Sequence, residues 1–261
     1  MSSILFAIAV VAGIGLIAGV GLAVAAAMMH VPVDERVEKL AEALPGANCG
    51  ACGHAGCQSY AEAIAAGAAT NLCTPGGDTA ARALAAIMGV EAQTVAPRKA
   101  LVRCNGTRAN CMQSFEYRGE QSCAAACLLY SGQKACNYGC LGFGDCAKAC
   151  PHGAVFIEDG IARVDQAKCV GCALCEAACP KHIIVMKETE GKAINRCCSE
   201  AAGAVARKQC SAACIGCRLC AKNCPEQAIT VENNLAHVDP QKCGGCGLCI
   251  SKCPTGSLVM S

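Results

Sequence analysis

Tryptophan is absent from this 261-residue chain, and only four tyrosines and four phenylalanines are present. A core built on large aromatic side chains is therefore excluded, and something other than packing must hold much of the molecule together. Charge is missing from one region: no Asp, Glu, Lys or Arg occurs between Met1 and Met29. Elsewhere the charges are well mixed, without the basic run that marks a phosphate-binding arm, so nucleic acid is not expected as a partner. Nucleotide and catalytic signatures are also lacking. Gly13-x-Gly15 is followed by Ala18, which breaks G-x-G-x-x-G, and no strand precedes it. No phosphate loop, flavin signature or Ser/His/Asp or Cys/His arrangement in a recognisable context is found. No catalytic site of the chain's own is expected.

Cysteine, by contrast, occurs 27 times. In a short secreted scaffold such a content would mean disulfides, but here the cysteines group as C-x2-C and C-x3-C-P, which points to metal. Thiolate–metal bonds supply folding free energy that a thin core cannot. The formal charge of +2 then misleads. Five oxidised four-iron clusters at roughly −2 per site would bring the loaded protein to roughly −8.

From Ile4 to Met29 the sequence is almost wholly Ala, Val, Ile, Leu, Met and Gly, and about 20 such residues suffice to span a bilayer as a helix. A cleaved signal peptide would carry Lys or Arg ahead of the apolar stretch, and none is present. Gly15 and Gly19 add a G-x-x-x-G face of the kind that lets another helix approach. Arg36 and Lys39 follow the span, which places the bulk of the chain on the cytoplasmic side of the cell inner membrane as a single-pass protein. Residues 33–46 then show helical periodicity at Val33, Val37, Leu40 and Leu44, ended by Pro45-Gly46.

The first metal block is NCGACGHAGC, which places Cys49, Cys52 and Cys57 on one glycine-rich loop. The helical stretch YAEAIAAG returns the chain to Cys73. Four thiolates at this spacing suit a four-iron cluster, with a four-cysteine zinc site as the alternative. His54 reads as an exposed loop residue, and His152, His182 and His237 as surface residues. The second half then repeats itself. Cys169, Cys172, Cys175 and Cys179-Pro180 follow C-x2-C-x2-C-x3-C-P; so do Cys214, Cys217, Cys220 and Cys224-Pro225, and Cys243, Cys246, Cys249 and Cys253-Pro254. In two-cluster ferredoxins three cysteines of a block bind one cluster and the fourth binds the other, so blocks come in pairs. Three intact blocks require a fourth. The candidate is KACNYGCLGFGDCAKACP at 134–151, where Phe143 stands in place of a cysteine.

This block aligns without a gap on KQCSAACIGCRLCAKNCP, residues 208–225, so that Phe143 faces Cys217 and Cys136 faces Cys210. Cys136 is the nearest upstream thiol able to replace the missing ligand. The expected sets are therefore Cys136, Cys140, Cys146 and Cys179, and beside it Cys150, Cys169, Cys172 and Cys175. In the second module the crossing rule gives Cys214, Cys217, Cys220 with Cys253, and Cys243, Cys246, Cys249 with Cys224, which leaves Cys210 redundant. AVFIEDGIARVD, HIIVMKETEGKAI and AITVENNLAHVD each read as strand, turn, strand.

The expected fold class is α+β: an N-terminal transmembrane helix, a small mainly helical 4Fe-4S domain and two tandem two-cluster ferredoxin-like modules. The boundaries are 1–29 for the anchor, 30–100 for the four-cysteine domain with its linker helices, 101–133 for a cysteine-containing connector, and 134–195 and 196–261 for the modules.

In this order the blocks NCGACGHAGCQSYAEAI, CTPGG, RCNG, FEYRG, SCAAA and KACNYGCLGFGDCAKACP, followed by a second ferredoxin pair, resemble the B subunit of the Rnf complex in its long form. The resemblance covers nearly the whole chain. It implies an electron-relay subunit of a membrane-bound, ion-translocating ferredoxin:NAD oxidoreductase, with soluble ferredoxin and the other Rnf subunits as partners. It also leaves open an Rsx-type reductase serving a redox-sensing transcription factor. Five [4Fe-4S] clusters are expected. Cys104, Cys111, Cys123 and Cys127 leave room for a sixth, and Cys197, Cys198 and Cys210 have no assigned role.

Overall fold

The structure is a computed structural model that describes residues 2–28, 34–95, 97–188 and 191–261. Helix α1 covers Ser2–Met28, with side-chain surroundings described at Phe6 and over 12–25. Among the described residues no helix is long and apolar enough to cross a membrane. This overturns the expected transmembrane anchor over 1–29 and, with it, the single-pass inner-membrane location. Met29 and Val33, which entered the expected span and the expected helical periodicity, lie outside the described residues.

Three helices build the N-terminal unit: α2 (Glu35–Glu42), α3 (Cys57–Ala65) and α4 (Gly77–Met88). Asp34 caps α2 by accepting the Arg36 N–H at 2.9 Å, which satisfies one orphan donor of the first turn. Val37, Leu40 and Leu44 recur at helical spacing and are buried together with Tyr60, Ile64, Leu84 and Cys73. Tyr60 also ties down the return loop: its hydroxyl donates to Ala69 O at 2.8 Å and accepts the Leu72 N–H at 3.0 Å. That pair of bonds brings Cys73 back towards Cys57.

The rest of the chain is written in short antiparallel pairs. Strand β1 (Lys99–Val102) pairs with β4 (Ile184–Lys187), and β2 (Val155–Glu158) with β3 (Ile161–Val164). In the second half β5 (Ala193–Asn195) pairs with β8 (Leu258–Met260), and β6 (Ile229–Glu232) with β7 (Leu235–Val238). Short helices lie between them: α5 (Cys123–Leu128), α6 (Asp145–Lys148), α7 (Leu174–Ala177), α8 (Gly203–Gln209), α9 (Leu219–Lys222) and α10 (Leu248–Ser251).

Two of the three expected hairpins form. Both turn on residues with positive φ, Asp159-Gly160 and Asn233-Asn234, the backbone a two-residue hairpin turn needs. The third stretch, HIIVMKETEGKAI, does not fold back on itself. Its first strand, β4, pairs with β1 from the expected linker and its second, β5, pairs with the C-terminal strand β8; Thr189 and Glu190 of its expected turn lie outside the described residues. Each half therefore carries the same plan, in which an entering strand pairs with the last strand and a hairpin lies between. Glycine is required where block and hairpin meet. A Cβ on Gly142 would run into the Gly160 carbonyl, and one on Gly216 would come within 2.9 Å of Asn234 Cα.

Candidate metal centres

Each short helix of a cysteine block opens after a left-handed residue: Gly144 (φ 87°), Ala173 (62°), Arg218 (62°) and Gly247 (73°). The next residue but one is the block's third cysteine: Cys146, Cys175, Cys220 or Cys249. The block containing Phe143 thus keeps the backbone of the intact blocks and lacks only the thiol.

In the N-terminal unit, burial pushes the Cys73 thiol up, and the nearby Cys52, Cys57 and Cys49 push it further. Those four cysteines therefore share one locality. Asn48 Oδ1 accepts the Cys57 N–H at 2.8 Å and closes the loop that carries the first three. His54 is half-buried rather than exposed, with its ring stacked on Tyr60 at 5.2 Å; His152, His182 and His237 are exposed.

The crossed arrangement recurs in both halves. Cys150, Cys169, Cys172 and Cys175 line one cavity of about 290 Å³, and Cys214, Cys217, Cys220 and Cys253 line another of about 330 Å³. Cys249 feels burial first and then Cys243, Cys224 and Cys246, which brings the last expected set together. Burial drives Cys175 and Cys220 up to about 11 each. Burial would raise Cys253 too, but hydrogen bonds from the Ser257 hydroxyl, from Leu258 and Thr255 N–H and from the Thr255 hydroxyl outweigh it and hold this thiol at about 7.

In the first module the structure departs from the expected set. Cys140, Cys146 and Cys179 line a cavity of about 330 Å³, and the fourth cysteine at its wall is Cys123. Burial pushes Cys146 up to about 12, followed by Cys140, Cys123 and Cys179. Cys136, expected in this set, lines a different cavity. Cys123 opens α5, and the block itself holds that helix start: Asp145 Oδ2 accepts from Ser122 Oγ and from Ala124 N, both at 3.0 Å. Phe143 meets Tyr117 at 5.4 Å between ring centroids and packs with Tyr117 and Cys127 against Cys123, Ala126 and Leu141. Phe143, which stands where a cysteine was expected, is thus part of the anchor for the segment that brings Cys123 to this cavity. No spacing rule finds Cys123, because 16 residues separate it from Cys140.

Cys136 instead shares a cavity of about 320 Å³ with Cys104, Cys111, Cys197, Cys198 and Cys210. The four cysteines noted as room for a sixth cluster are accordingly split, with Cys104 and Cys111 here and Cys123 elsewhere.

The sites suit an inorganic core of several atoms. A tetrahedral zinc site draws its four sulfurs in to about 2.3 Å from one ion. The cysteines ring apolar cavities instead, and backbone N–H groups aim at the sulfurs: Ala162 to Cys140 at 3.3 Å, Ala228 to Cys224 at 3.3 Å and Ala100 to Cys169 at 3.4 Å. Donors of this kind are what anionic cluster ligands need.

Comparison with known proteins agrees. The FeS family model, described for an Fe-S cluster, matches residues 44–75; a 4Fe-4S binding domain matches 162–185 and a 4Fe-4S dicluster domain 213–257. The chain therefore carries several 4Fe-4S-binding units. It is 43% identical over 245 residues to the B subunit of the Na(+)-translocating ferredoxin:NAD(+) oxidoreductase complex of Acetobacterium woodii, covering 93% of this chain and 74% of that protein. Identity to the B subunit of the proton-translocating ferredoxin:NAD(+) oxidoreductase complex of Clostridium ljungdahlii is also 43%, over 93% of this chain and 87% of the relative. The B subunit of the ion-translocating oxidoreductase complex of Methanosarcina acetivorans is 40% identical, over 93% of both chains.

Proposed function

This chain belongs to the family of Rnf B subunits, from ion-translocating ferredoxin:NAD(+) oxidoreductase complexes, as an iron–sulfur electron-relay subunit, and from that premise we propose which residues perform the relay and which partner they meet. Five [4Fe-4S] clusters are held by Cys49, Cys52, Cys57 and Cys73; by Cys123, Cys140, Cys146 and Cys179; by Cys150, Cys169, Cys172 and Cys175; by Cys214, Cys217, Cys220 and Cys253; and by Cys224, Cys243, Cys246 and Cys249. When bound, such groups supply one-electron transfer. The protein's own work is to fix each thiolate, exclude water from it and stabilise its charge with N–H donors.

The observation that carries this reading is that neighbouring sets lie close together. Cys172 feels Cys49, and a Cβ on Gly171 would come within 2.8 Å of Thr74, next to Cys73. Cys146 feels Cys175. Helix α9 carries Cys220 of one set and ends just before Cys224 of the next. Sets this close, within the first half and within the second, permit transfer without any group that diffuses.

The partner we propose is soluble ferredoxin, docking on the second module. Cys217 and Cys246 are exposed there, with Leu219 and Leu248 exposed beside them, whereas the corresponding Cys172 is buried. Mixing anaerobically reconstituted protein with reduced ferredoxin in a stopped-flow instrument tests this. Bleaching of the cluster absorbance should follow ferredoxin concentration and slow at least tenfold in a Leu219→Glu, Leu248→Glu double variant. No electron transfer from ferredoxin to the wild-type chain would refute the partner.

A further inference from the structure

The five proposed sets leave seven cysteines over, and six of these line one cavity that is walled from both modules. We infer that this cavity holds a sixth [4Fe-4S] cluster ligated by Cys104, Cys136, Cys197 and Cys210, two from each module, and that it links the modules electronically. The site stands on geometry; its linking role rests on the relay reading.

The argument is one of repetition. Cys104 lies two residues beyond β1 and Cys197 two residues beyond β5, and these are the strands that pair with the last strand of each half. Both sulfurs accept the N–H of the residue two ahead, Gly106 at 3.3 Å and Ser199 at 3.4 Å. Each is also met by the N–H of the first cysteine of its own block: Cys140 N lies 3.3 Å from Cys104 Sγ, and the Cys214 N–H is directed at Cys197 Sγ. Cys136 and Cys210 complete the pattern, each four residues ahead of that same block cysteine. Two modules built alike thus offer the same two thiols to a shared space, and four thiolates suffice for one cluster.

The two other cysteines in the cavity lack counterparts. Cys198 aligns with Asn105 and gives its thiol to Tyr138 O at 3.2 Å. Cys111 lies in the connection of 31 residues between Cys104 and Cys136, where the second module has only 12 between Cys197 and Cys210. The contacts also give the site its place. Cys140 belongs to the proposed Cys123 set and Cys214 to the first set of the second module, so the cavity touches one cluster site on each side.

Full-length protein reconstituted anaerobically with iron and sulfide should hold about 24 iron atoms rather than about 20. Cys104→Ser, Cys136→Ser, Cys197→Ser and Cys210→Ser should each remove about four irons and one paramagnetic signal, while Cys111→Ser and Cys198→Ser should remove none. A wild-type count near 20, or losses at 111 and 198 equal to those at the four, would overturn the site, and this count still decides if a variant fails to fold. Ferredoxin oxidation by the wild-type chain tests the relay reading separately. With the four-iron loss in place, reduction of the clusters beyond the gap should slow more than tenfold, and an unchanged rate would overturn the linking role.

Discussion

Phe143 and Asp145, two residues apart in one loop, divide the work of the missing cysteine between them. The ring of Phe143 packs against Tyr117, and the carboxylate of Asp145 receives Ser122 and Ala124, so that Cys123 is carried to the cavity from outside the block. Cys123→Ser should therefore remove about four irons, whereas Cys127→Ser, one helical turn on, should remove none; iron analysis of the two variants decides. Lys134 is a second residue whose chemistry depends on its surroundings. It is buried, and its ammonium donates to Gly106 O at 2.7 Å and Gly160 O at 2.9 Å, close enough for its charge to act on Cys111 and Cys140. A positive charge there favours the reduced, more negative state of nearby clusters. Lys134→Gln should lower a cluster midpoint potential by tens of millivolts, on the order of 1 kcal/mol for a charge about 10 Å away at an effective dielectric of about 20. A redox titration followed by electron paramagnetic resonance measures it.

Among the elements, α5 shows how little holds a segment that carries a proposed ligand. It has six residues, too few to persist alone. Burial works against the Asp145 charge, but the Ala124 and Cys123 N–H groups and the Ser122 hydroxyl outweigh it and hold the carboxyl below the usual carboxylate range. A depressed acid stabilises the fold above its unfolded value and loses that effect as pH falls through the folded one, so the anchor is intact at neutral pH. Asp145→Ala should release the start of α5 at about 1–2 kcal/mol and make one cluster's iron labile to a chelator, with partial rescue by Asp145→Asn. In α3, Tyr60→Phe removes both bonds that hold the loop to Cys73. A cost of about 1–3 kcal/mol is expected for the two groups left unpaired, read as faster loss of the N-terminal cluster while the module clusters remain.

At the scale of the whole molecule, cysteines stand where other proteins place large apolar side chains. The second-module core includes Cys197, Cys210, Cys214, Cys220, Cys243 and Cys249 among alanines and a few aliphatic residues. Such a core depends on its inorganic contents. Stripping the iron with a chelator under reducing conditions should abolish the cooperative thermal transition, and re-addition of iron and sulfide should restore it; circular dichroism follows both steps. A metal-free chain that kept its transition would show that packing alone suffices.

By itself the sequence determined the chemistry and most of the local structure. Cysteine spacing is a short-range property, so it marked the blocks, and strand–turn–strand patterns marked the two hairpins that form, while the apolar period of Val37, Leu40 and Leu44 marked α2. Pairings set by distance in space were decided only by the tertiary structure. HIIVMKETEGKAI reads as a hairpin, yet its strands find β1 and β8, because the free edges of the two halves lie there. The apolar composition of residues 1–29 suggested a span, yet among the described residues no helix is long and apolar enough to cross a membrane. Cys136 was nearest to the broken block along the chain, yet the cavity it lines is another one, where Cys104, Cys197 and Cys210 converge from both modules. A thiol belongs to the site it reaches in space, and for the loops around Phe143 that reach was set by an aromatic contact and a carboxylate cap that no spacing encodes.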